Sequence, residues 1–257
     1  MNRLLTLTMM GAAFAMTASA SVQAQDDETV RFGVDVPYEP MEYRDADGNL
    51  TGFDIELGNA LCEEIGIECE WVVQGWDGII PGLQSRKYDA IMSSMTINDD
   101  RREQVLFSDP YITPPSAWFI PTDSEIDDVS EEGLDGFTIG VQRGTLQDNY
   151  ATDMYGDVAD INRYDTAEDL VLDMESQRAD IAFLDFPVGK ATLIDNEEYD
   201  YQVIGNMITE PKEYFGDGFG IAFRKRDEAL AERFNEALET LRDNGTYDEI
   251  YDKYFSM

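Results

Sequence analysis

The feature that most constrains the fold of this chain is an alternation of short apolar segments with longer amphipathic ones. Runs rich in Val, Ile and aromatic residues predict strands, and the segments between them carry apolar residues at helical spacing. Asp54 is the predicted N-cap of a helix that ends at Gly66, and another helix begins near Asp77. The predicted strands of this first stretch cover residues 30–34, 71–73 and 89–92.

A second stretch repeats the alternation after a Pro-rich extended segment at residues 110–121. Strands that alternate with helices form mainly parallel sheets with helices on both faces, so we predict an α/β fold with two doubly wound lobes. Ligands of such sheets bind beyond the carboxyl ends of the strands. The elements predicted here are strands at 137–141, 180–184 and 219–223, and helices at 146–155, 166–177 and 230–243.

The first 24 residues are predicted to be a signal peptide. Arg3 gives a positive start, residues 4–16 form an apolar run, and Val22-Gln23-Ala24 is a small-residue cleavage site. An uncleaved membrane anchor is the alternative, but the apolar run is too short to span a bilayer comfortably. We therefore expect a secreted, periplasmic protein that begins near Gln25.

The charge of the chain is strongly negative, with 54 acidic and 18 basic residues and a formal net charge of −36. Nucleic acid and anionic membrane surfaces would be repelled by this field, which excludes both as partners. The acids are dispersed along the chain, whereas an acidic tail or a metal buffer would cluster them. Dispersed acids are typical of a protein that stays soluble in concentrated salt, so we predict a halophilic source.

The two cysteines, Cys62 and Cys69, form an isolated pair in a chain predicted to be secreted. Such a pair in an oxidising compartment is usually a disulfide. The alternative, a metal site, needs further ligands, and the chain contains no His. We predict a disulfide, and neither a metal nor a cofactor.

Polar residues stand at the predicted strand ends in a pattern that resembles a known family. The chain is similar to the periplasmic binding proteins for polar amino acids, and most to the lysine–arginine–ornithine and histidine binders. Their disulfide corresponds to the Cys62 and Cys69 positions. The matching segments are Gly52-Phe53-Asp54-Ile55, Trp76-Asp77-Gly78-Ile79-Ile80-Pro81-Gly82-Leu83, Asp89-Ala90-Ile91-Met92-Ser93-Ser94-Met95-Thr96-Ile97, Arg101, Phe107-Ser108-Asp109-Pro110-Tyr111, Tyr214-Phe215-Gly216-Asp217-Gly218 and Asn244-Gly245-Thr246-Tyr247-Asp248.

The resemblance implies the periplasmic binding protein type II fold, in which two hinge strands join two lobes. Lobe 1 would comprise residues 25–111 and 211–257, and lobe 2 residues 112–210. It also implies a function without catalysis, as the monomeric substrate-binding component of an amino-acid ABC importer. The lobes would close over the solute, and the closed form would be recognised by an inner-membrane permease.

The resemblance assigns the anchors of an α-amino acid. The planar guanidinium of Arg101 would hold the ligand carboxylate, although a surface Arg paired with Asp99 or Asp100 is the alternative. Asp185 would accept the α-ammonium group, and the alternative there is a cap for a helix beginning at Phe186. Backbone N–H groups near three further residues would add donors to the carboxylate: Thr96, Thr145 and Leu146.

The rest of the predicted site is a slot for the ligand side chain. Tyr38 and Trp76 would sandwich that side chain, although rings are more often part of a core, and Asp35 would meet its distal polar group. Leu146 and Arg143 depart from the pattern of the basic-amino-acid binders, because one hydroxyl is lost and one cation is added beside the cleft. The remaining predicted binding residues are Ser93, Ser94 and Gln147.

The ligand predicted from this slot is basic: arginine, lysine or ornithine. A buried Asp35 carboxylate favours a ligand that brings a cation, and the two rings offer cation–π surfaces. Glutamine or another neutral polar solute is the first alternative. A cyclohexadienyl dehydratase-like enzyme is the second, and it would need a general acid in the cleft of a chain without His. A freely diffusing sensor partner is the third.

Overall fold

The structure is a computed structural model that describes residues 28–197 and 200–256. The predicted signal peptide and the predicted start at Gln25 lie outside the described residues. Among those that are described, no helix is long and apolar enough to cross a membrane. The strands are β1 (Thr29–Val34), β2 (Tyr43–Arg44), β3 (Leu50–Thr51), β4 (Glu68–Val73), β5 (Ala90–Ile91), β6 (Leu106–Phe107), β7 (Ser116–Pro121), β8 (Thr138–Gln142), β9 (Asp160–Tyr164), β10 (Ile181–Asp185), β11 (Tyr201–Ile208) and β12 (Ala222–Phe223).

The helices follow most of the predicted positions. A 3₁₀ turn at Trp76–Gly78 leads into the second helix, and a π-helical turn at Lys190–Ile194 follows the sixth. The α-helices are α1 (Phe53–Ile65), α2 (Ile79–Gln84), α3 (Asp99–Arg102), α4 (Leu146–Tyr155), α5 (Ala167–Glu175), α6 (Phe186–Gly189), α7 (Lys212–Phe215), α8 (Glu228–Asp243) and α9 (Thr246–Phe255).

Two five-stranded sheets form the framework. The first has the order β4-β1-β5-β12-β6 and the second the order β11-β7-β10-β8-β9, with parallel pairs at β4-β1-β5 and β10-β8-β9. The strands β12 and β7 are antiparallel to their neighbours. Each enters its sheet from the other sheet, so it needs no helical crossover and can run antiparallel. The predicted α/β fold of two lobes is confirmed, with mixed rather than purely parallel sheets.

The first sheet takes strands from both ends of the described chain, and the second takes only strands from the middle. The chain therefore passes between the sheets twice, once after Phe107 and once after Ile208. The two crossing segments pair with each other, since Phe219 N donates to Ile112 O at 2.7 Å and Tyr111 N donates to Phe219 O at 2.8 Å. The prediction placed two strands between the lobes, and the structure has two extended segments there that are joined by an isolated β-bridge between Ile112 and Phe219.

The first turn of α1 differs from the prediction. Gly52, at φ 122°, is the N-cap, and a Cβ there would lie 2.2 Å from Met41 O. Asp54 is fully buried inside the helix, and its carboxylate accepts hydrogen bonds from Ser94 N at 2.7 Å and from Tyr111 Oη at 2.9 Å. The predicted capping role was wrong because tertiary donors bind this side chain instead of the helix's own amides.

The helices α1 and α8 pack against the first sheet, and α9 packs against these two helices. Phe53 is fully buried and meets Tyr247 and Phe255 of α9 edge-on, with ring centroids 6.1 and 5.0 Å apart. Cys62 at the end of α1 is bonded to Cys69 in β4, which confirms the predicted disulfide. These contacts bind the C-terminal helix to the N-terminal part of the same unit.

Candidate functional site

A cavity lies between the two sheets, at the carboxyl ends of their parallel strands. The first unit, which is built on the first sheet, contributes residues that follow β1, β4 and β5. The second unit, built on the second sheet, contributes the ends of β8 and β10 and the start of α4. Every residue that the sequence predicted to bind ligand lines this cavity, together with Glu42 and Gln142. The predicted lining residues are Asp35, Tyr38, Trp76, Ser93, Ser94, Thr96, Arg101, Thr145, Leu146, Gln147 and Asp185.

Arg101 is held inside the cavity by its neighbours. Its Nη1 donates to Thr96 O at 3.0 Å, and its guanidinium carbon lies 5.2 Å from the centroid of the Trp76 ring. Desolvation lowers the pKa of Arg101 to about 10, opposed by the charge of Asp185. Among the ion pairs of the described residues, none joins Arg101 to Asp99 or Asp100.

Asp185 ends β10 and faces Arg101 from the second unit. Its carboxylate accepts hydrogen bonds from Tyr38 Oη at 2.7 Å and from Gln147 Nε2 at 2.8 Å. Gln147 also donates to Ser116 Oγ at 2.9 Å, which orients the amide towards the carboxylate. Burial raises the pKa of Asp185 to about 6, although these hydrogen bonds oppose the shift. The Asp185 side chain makes no capping bond to α6.

Asp35 lies just after β1 and is 5% exposed. Gln142, the last residue of β8, donates from Nε2 to Asp35 Oδ2 at 2.7 Å, and Asp35 N donates to Ser93 Oγ at 2.9 Å. Burial raises the pKa of Asp35 to about 6, and the Gln142 hydrogen bond opposes that rise. This contact and the one between Tyr38 and Asp185 join the two units across the cavity.

Glu42 and Asp54 lie behind Asp35 on the floor of the first unit. Ser93 Oγ donates to Glu42 Oε1 at 2.6 Å, and Ser94 Oγ lies 3.4 Å from an oxygen of each acid. Ser94 has φ 49°, a left-handed conformation that costs energy for a residue with a Cβ. In that conformation its N–H reaches Asp54, so the acid pair holds the strained residue in place.

The N-terminus of α4 faces the cavity from the second unit. Thr145 caps the helix, with its Oγ1 accepting from Asp148 N at 3.2 Å and donating to Gln142 O at 2.8 Å. Leu146 and Gln147 occupy the first helical positions, whose N–H groups have no partner within the helix. These amides and the positive end of the helix dipole favour an anionic group in the cavity.

Arg143 lies at the mouth of the cavity, about half exposed, and contacts two acids. Its Nε is 3.7 Å from Asp77 Oδ2 of the first unit and 3.4 Å from Asp165 Oδ1 of the second. The sequence flagged this cation as unfavourable for a basic ligand unless an acid neutralises it. Asp77 and Asp165 neutralise it. The contact with Asp77 also crosses the cleft, and it lies beside the hydrogen bond from Trp76 Nε1 to Gly144 O at 3.1 Å.

Two lining residues were missed by the sequence reasoning. Gln142 directly follows the predicted strand at 137–141, and the strand-end argument that selected Asp185 would have found it. Glu42 carries no comparable signal, because it lies in a turn whose position under Ser93 depends on the tertiary fold.

The charges of the cavity decide what it can bind. Among the lining residues that the structure describes, Arg101 is the one cation, against the acids Asp35, Glu42 and Asp185. Buried carboxylates are costly without a partner, so the cavity favours a ligand with cationic groups and one anionic group. Asp185 and Arg101 provide such partners at one end, and Asp35 and Glu42 provide acids at the other.

Comparison with known proteins agrees with this geometry. The L-arginine-binding protein of Pseudomonas aeruginosa is 39% identical over 232 residues, covering 90% of this chain and 89% of that protein. The lysine/arginine/ornithine-binding periplasmic protein of Escherichia coli is 36% identical over 251 residues, with 93% and 92% covered.

A solved structure with a TM-score of 0.78 and 34% identity covers 89% of this chain and 96% of its own. It is an ancestral amino-acid-binding protein, AncCDT-1, described as a precursor of cyclohexadienyl dehydratase. A family model matches residues 30–257, which is nearly all of the described chain. This chain therefore belongs to the bacterial extracellular solute-binding proteins, family 3.

Proposed function

We propose that this protein is the periplasmic substrate-binding component of an amino-acid ABC importer and that its ligand is a basic α-amino acid. The observation that carries the proposal is the charge pattern of the cavity, with one guanidinium and three lining acids. Arginine, lysine and ornithine each bring two cationic groups and one carboxylate, which match this pattern. The names of the relatives from P. aeruginosa and E. coli support the same ligand class.

The α-amino acid end of the ligand would lie between the two units. Arg101 would hold the carboxylate, with the N–H groups near Thr96 and at the start of α4 as further donors. Asp185 would accept the α-ammonium group, and its existing hydrogen bond from Tyr38 Oη keeps it oriented for that role. Thr145 and Leu146 mark the helix start that supplies the α4 donors.

The side chain of the ligand would extend towards Asp35. Trp76 and Tyr38 border this part of the cavity, Ser93 and Ser94 line its floor, and Gln147 orients Asp185. A cationic group placed here would compensate the desolvated Asp35 carboxylate, which a neutral amide would do less well. This preference distinguishes basic ligands from glutamine, the first alternative.

Binding would proceed by closure of lobe 2 (112–210) over lobe 1 (25–111 and 211–257). Two contacts that join the units, Tyr38 to Asp185 and Asp35 to Gln142, support this proposal. Closure would exclude water from the charged groups and strengthen their interactions. The closed form would be recognised by a membrane permease, which the family implies as the partner. We propose that the exported chain acts as a monomer after removal of residues 1–24.

The net charge of −36 fits a periplasm exposed to concentrated salt, since dispersed acids keep a protein soluble there. The same charge argues against nucleic acid and anionic membrane surfaces as partners, because the field repels both. Salt screens this field, so long-range attraction of a cationic ligand would add little in such a habitat.

Titration calorimetry tests the ligand assignment. The wild type and Asp35→Asn would be titrated with arginine, lysine, ornithine and glutamine, with exposed Asp47→Asn as a control of equal charge change. We expect the wild type to prefer a basic ligand and Asp35→Asn to lose about 100-fold in affinity for it, while Asp47→Asn changes little. A preference for glutamine, or undiminished arginine binding by Asp35→Asn, would reject the assignment.

A catalytic function is the second candidate, because AncCDT-1 is described as a dehydratase precursor. The raised pKa of Asp35 and of Asp185, each about 6, is also a property that a general acid needs. Both acids are accounted for by ligand binding, so we propose that the protein is not an enzyme. Incubation with prephenate or arogenate should yield no product, and formation of product would establish the enzymatic alternative.

A further inference from the structure

The proposed binding mechanism assigns no ligand contact to two buried acids, Glu42 and Asp54. Glu42 is 1% exposed and Asp54 is fully buried. Their hydrogen-bond partners are neutral: Ser93 donates to Glu42 at 2.6 Å, while Ser94 N and Tyr111 Oη donate to Asp54 at 2.7 and 2.9 Å. Neither acid pairs with Lys or Arg among the ion pairs of the described residues.

The two carboxyl groups are neighbours, because Ser94 Oγ lies 3.4 Å from Glu42 Oε2 and 3.4 Å from Asp54 Oδ2. Two carboxylates have no donor between them, so a hydrogen bond from one group to the other requires a proton. Asp54 Oδ1 is buried and receives no hydrogen bond from any protein donor in the described part of the chain. A proton held between the two carboxyl groups supplies the donor that these groups otherwise lack. Burial also raises the pKa of Glu42 well above its ordinary value, with the adjacent Asp54 as the next cause.

The surroundings of Glu42 add acidic and neutral groups. Asp35 faces it from the segment after β1 and raises its pKa further. Tyr38 lies beside it from the same segment, and Tyr111 lies beside Asp54 from the first crossing segment. The cation that lines the cavity, Arg101, interacts with Asp185, whose negative charge acts to raise the pKa of Arg101. Among the described residues around the pair, no Lys or Arg forms an ion pair that would replace the shared proton.

We infer that Glu42 and Asp54 share one proton in the unliganded protein and that a cationic ligand side chain displaces it into solvent. The inference deepens the proposed function and rests on it. Glu42 lines the cavity directly, so its carboxyl group is open to the ligand and to the water that leaves on binding. It thus becomes a second specificity-determining acid beside Asp35.

The displacement balances in charge. Before binding, the pair carries one proton and one negative charge; after binding, it carries two negative charges, and the ligand brings one positive side-chain charge in exchange. The released proton is taken up by buffer. A neutral side chain offers no such compensation, so the pair keeps its proton when citrulline or glutamine binds.

Calorimetry in buffers of different ionisation enthalpy, such as phosphate and Tris, counts the protons released per ligand bound. At pH 7.5, above the pKa of about 6 of Asp35 and Asp185, these two acids are already ionised in the free protein. Wild type should release close to one proton on binding arginine and none on binding citrulline, a neutral analogue of equal length. Arginine binding without proton release would overturn the inference.

Glu42→Gln identifies the source of the proton. The amide copies the protonated acid, because its oxygen can accept from Ser93 Oγ and its NH₂ group can donate to Asp54, so the fold should be kept. Proton release with arginine should disappear and arginine affinity should fall about 10- to 100-fold, while citrulline affinity stays within about threefold. Exposed Glu63→Gln on α1 is the matched control, and it should behave as wild type. Unchanged release by Glu42→Gln would overturn the inference.

A measurement without ligand separates this inference from the proposed function. Infrared spectra of the unliganded protein at pH 7.5 should show a protonated-carboxyl C=O band that Glu42→Gln removes and Glu63→Gln retains. If no basic amino acid binds, the proposed function fails, and this band still decides whether the pair holds a proton. Absence of the band in wild type would overturn the inference whatever the ligand.

Discussion

At the scale of the residue, the cavity concentrates groups that are unfavourable in the empty protein. Asp35 and Asp185 each have a pKa raised to about 6 by burial, and desolvation lowers the pKa of Arg101 to about 10. The charged form of each group is destabilised until a partner arrives. These buried charges therefore lower the stability of the unliganded protein, and single substitutions can measure this effect.

Arg101→Ala should abolish tight amino-acid binding and leave the fold intact. Removal of one partner from a desolvated charge pair costs several kcal/mol, or about 100-fold or more in affinity. Arg102→Ala is the matched control, because Arg102 is half exposed and its ion pair among the described residues is with Asp217 at 3.5 Å. Calorimetry should find less than about a twofold change there. A loss below tenfold for Arg101→Ala would place the carboxylate anchor elsewhere.

Asp185→Asn should stabilise the unliganded protein at pH 7 while weakening binding. Because the folded pKa of Asp185 is raised from 3.8 to about 6, its neutral form stabilises the fold at low pH, and this contribution is lost as pH rises through 6. An asparagine stays neutral at every pH and avoids this loss. The free energy of unfolding at pH 7 should therefore rise by roughly 1–2 kcal/mol, which is a few degrees in Tm.

Melting curves of the Asp185 variant would be recorded from pH 4 to 8 after bound amino acid has been removed by unfolding and refolding. The difference in Tm between wild type and Asp185→Asn should grow as pH rises from 4 to 7. Exposed Asp160→Asn makes the same charge change and should show no such growth. A constant difference for Asp185→Asn would contradict the role given to burial.

At the scale of the element, two helices begin with the same cap but only one faces the cavity. Thr145 caps α4 through a bond from Asp148 N at 3.2 Å, and Thr166 caps α5 through a bond from Asp169 N at 3.0 Å. Thr145→Ala and Thr166→Ala should each cost about 1 kcal/mol of stability. Only Thr145→Ala should also weaken binding, by about tenfold, because its hydroxyl bonds Gln142 O and positions the helix start.

Denaturant unfolding and calorimetry on both threonine variants distinguish the two effects. Both variants lose a helix cap, so any difference in ligand affinity between them comes from the position of Thr145 at the cavity and not from the lost cap. Equal loss of affinity in the two variants would mean that general destabilisation, and not the α4 N-terminus, governs binding.

The disulfide ties the end of α1 to β4 across a sequence separation of 7. In the chain-entropy model so short a loop contributes roughly 2–3 kcal/mol. Reduction, or Cys62→Ser with Cys69→Ser, should therefore lower Tm by about 5–10 °C. Intact mass of the exported protein should rise by two hydrogens on reduction, and an unchanged mass would show that the bond is absent.

At the scale of the whole molecule, stability should rise with NaCl. With 54 acids and 18 bases the chain repels itself, and salt screens this repulsion. Salt also weakens exposed ion pairs such as Arg143 with Asp77, but each of these contributes about 1 kcal/mol or less. Tm measured from low to molar NaCl should climb, and KCl at equal molarity should give the same rise. A flat or falling curve would show that the acids are locally paired.

The sequence alone determined the strand–helix alternation, the two lobes and the residues at the strand ends. These follow from local periodicity and from the rule that parallel strands present their carboxyl ends at one edge, which is how Asp35 and Asp185 were predicted. Missed elements had weaker local signals: α9 carries Tyr247, Tyr251 and Tyr254 at helical spacing, but Gly245 suggested that the helical region had ended.

Only the tertiary structure decided the partners of the buried polar groups. Asp54 has the sequence context of a helix cap, yet Ser94 and Tyr111 reach it from distant segments. Glu42 has no local feature that separates it from the many exposed acids of this chain. Its place beside Asp54 arises because three separate segments of the first unit converge there. Hydrogen bonding and desolvation depend on such long-range neighbours, which no local pattern of residues contains.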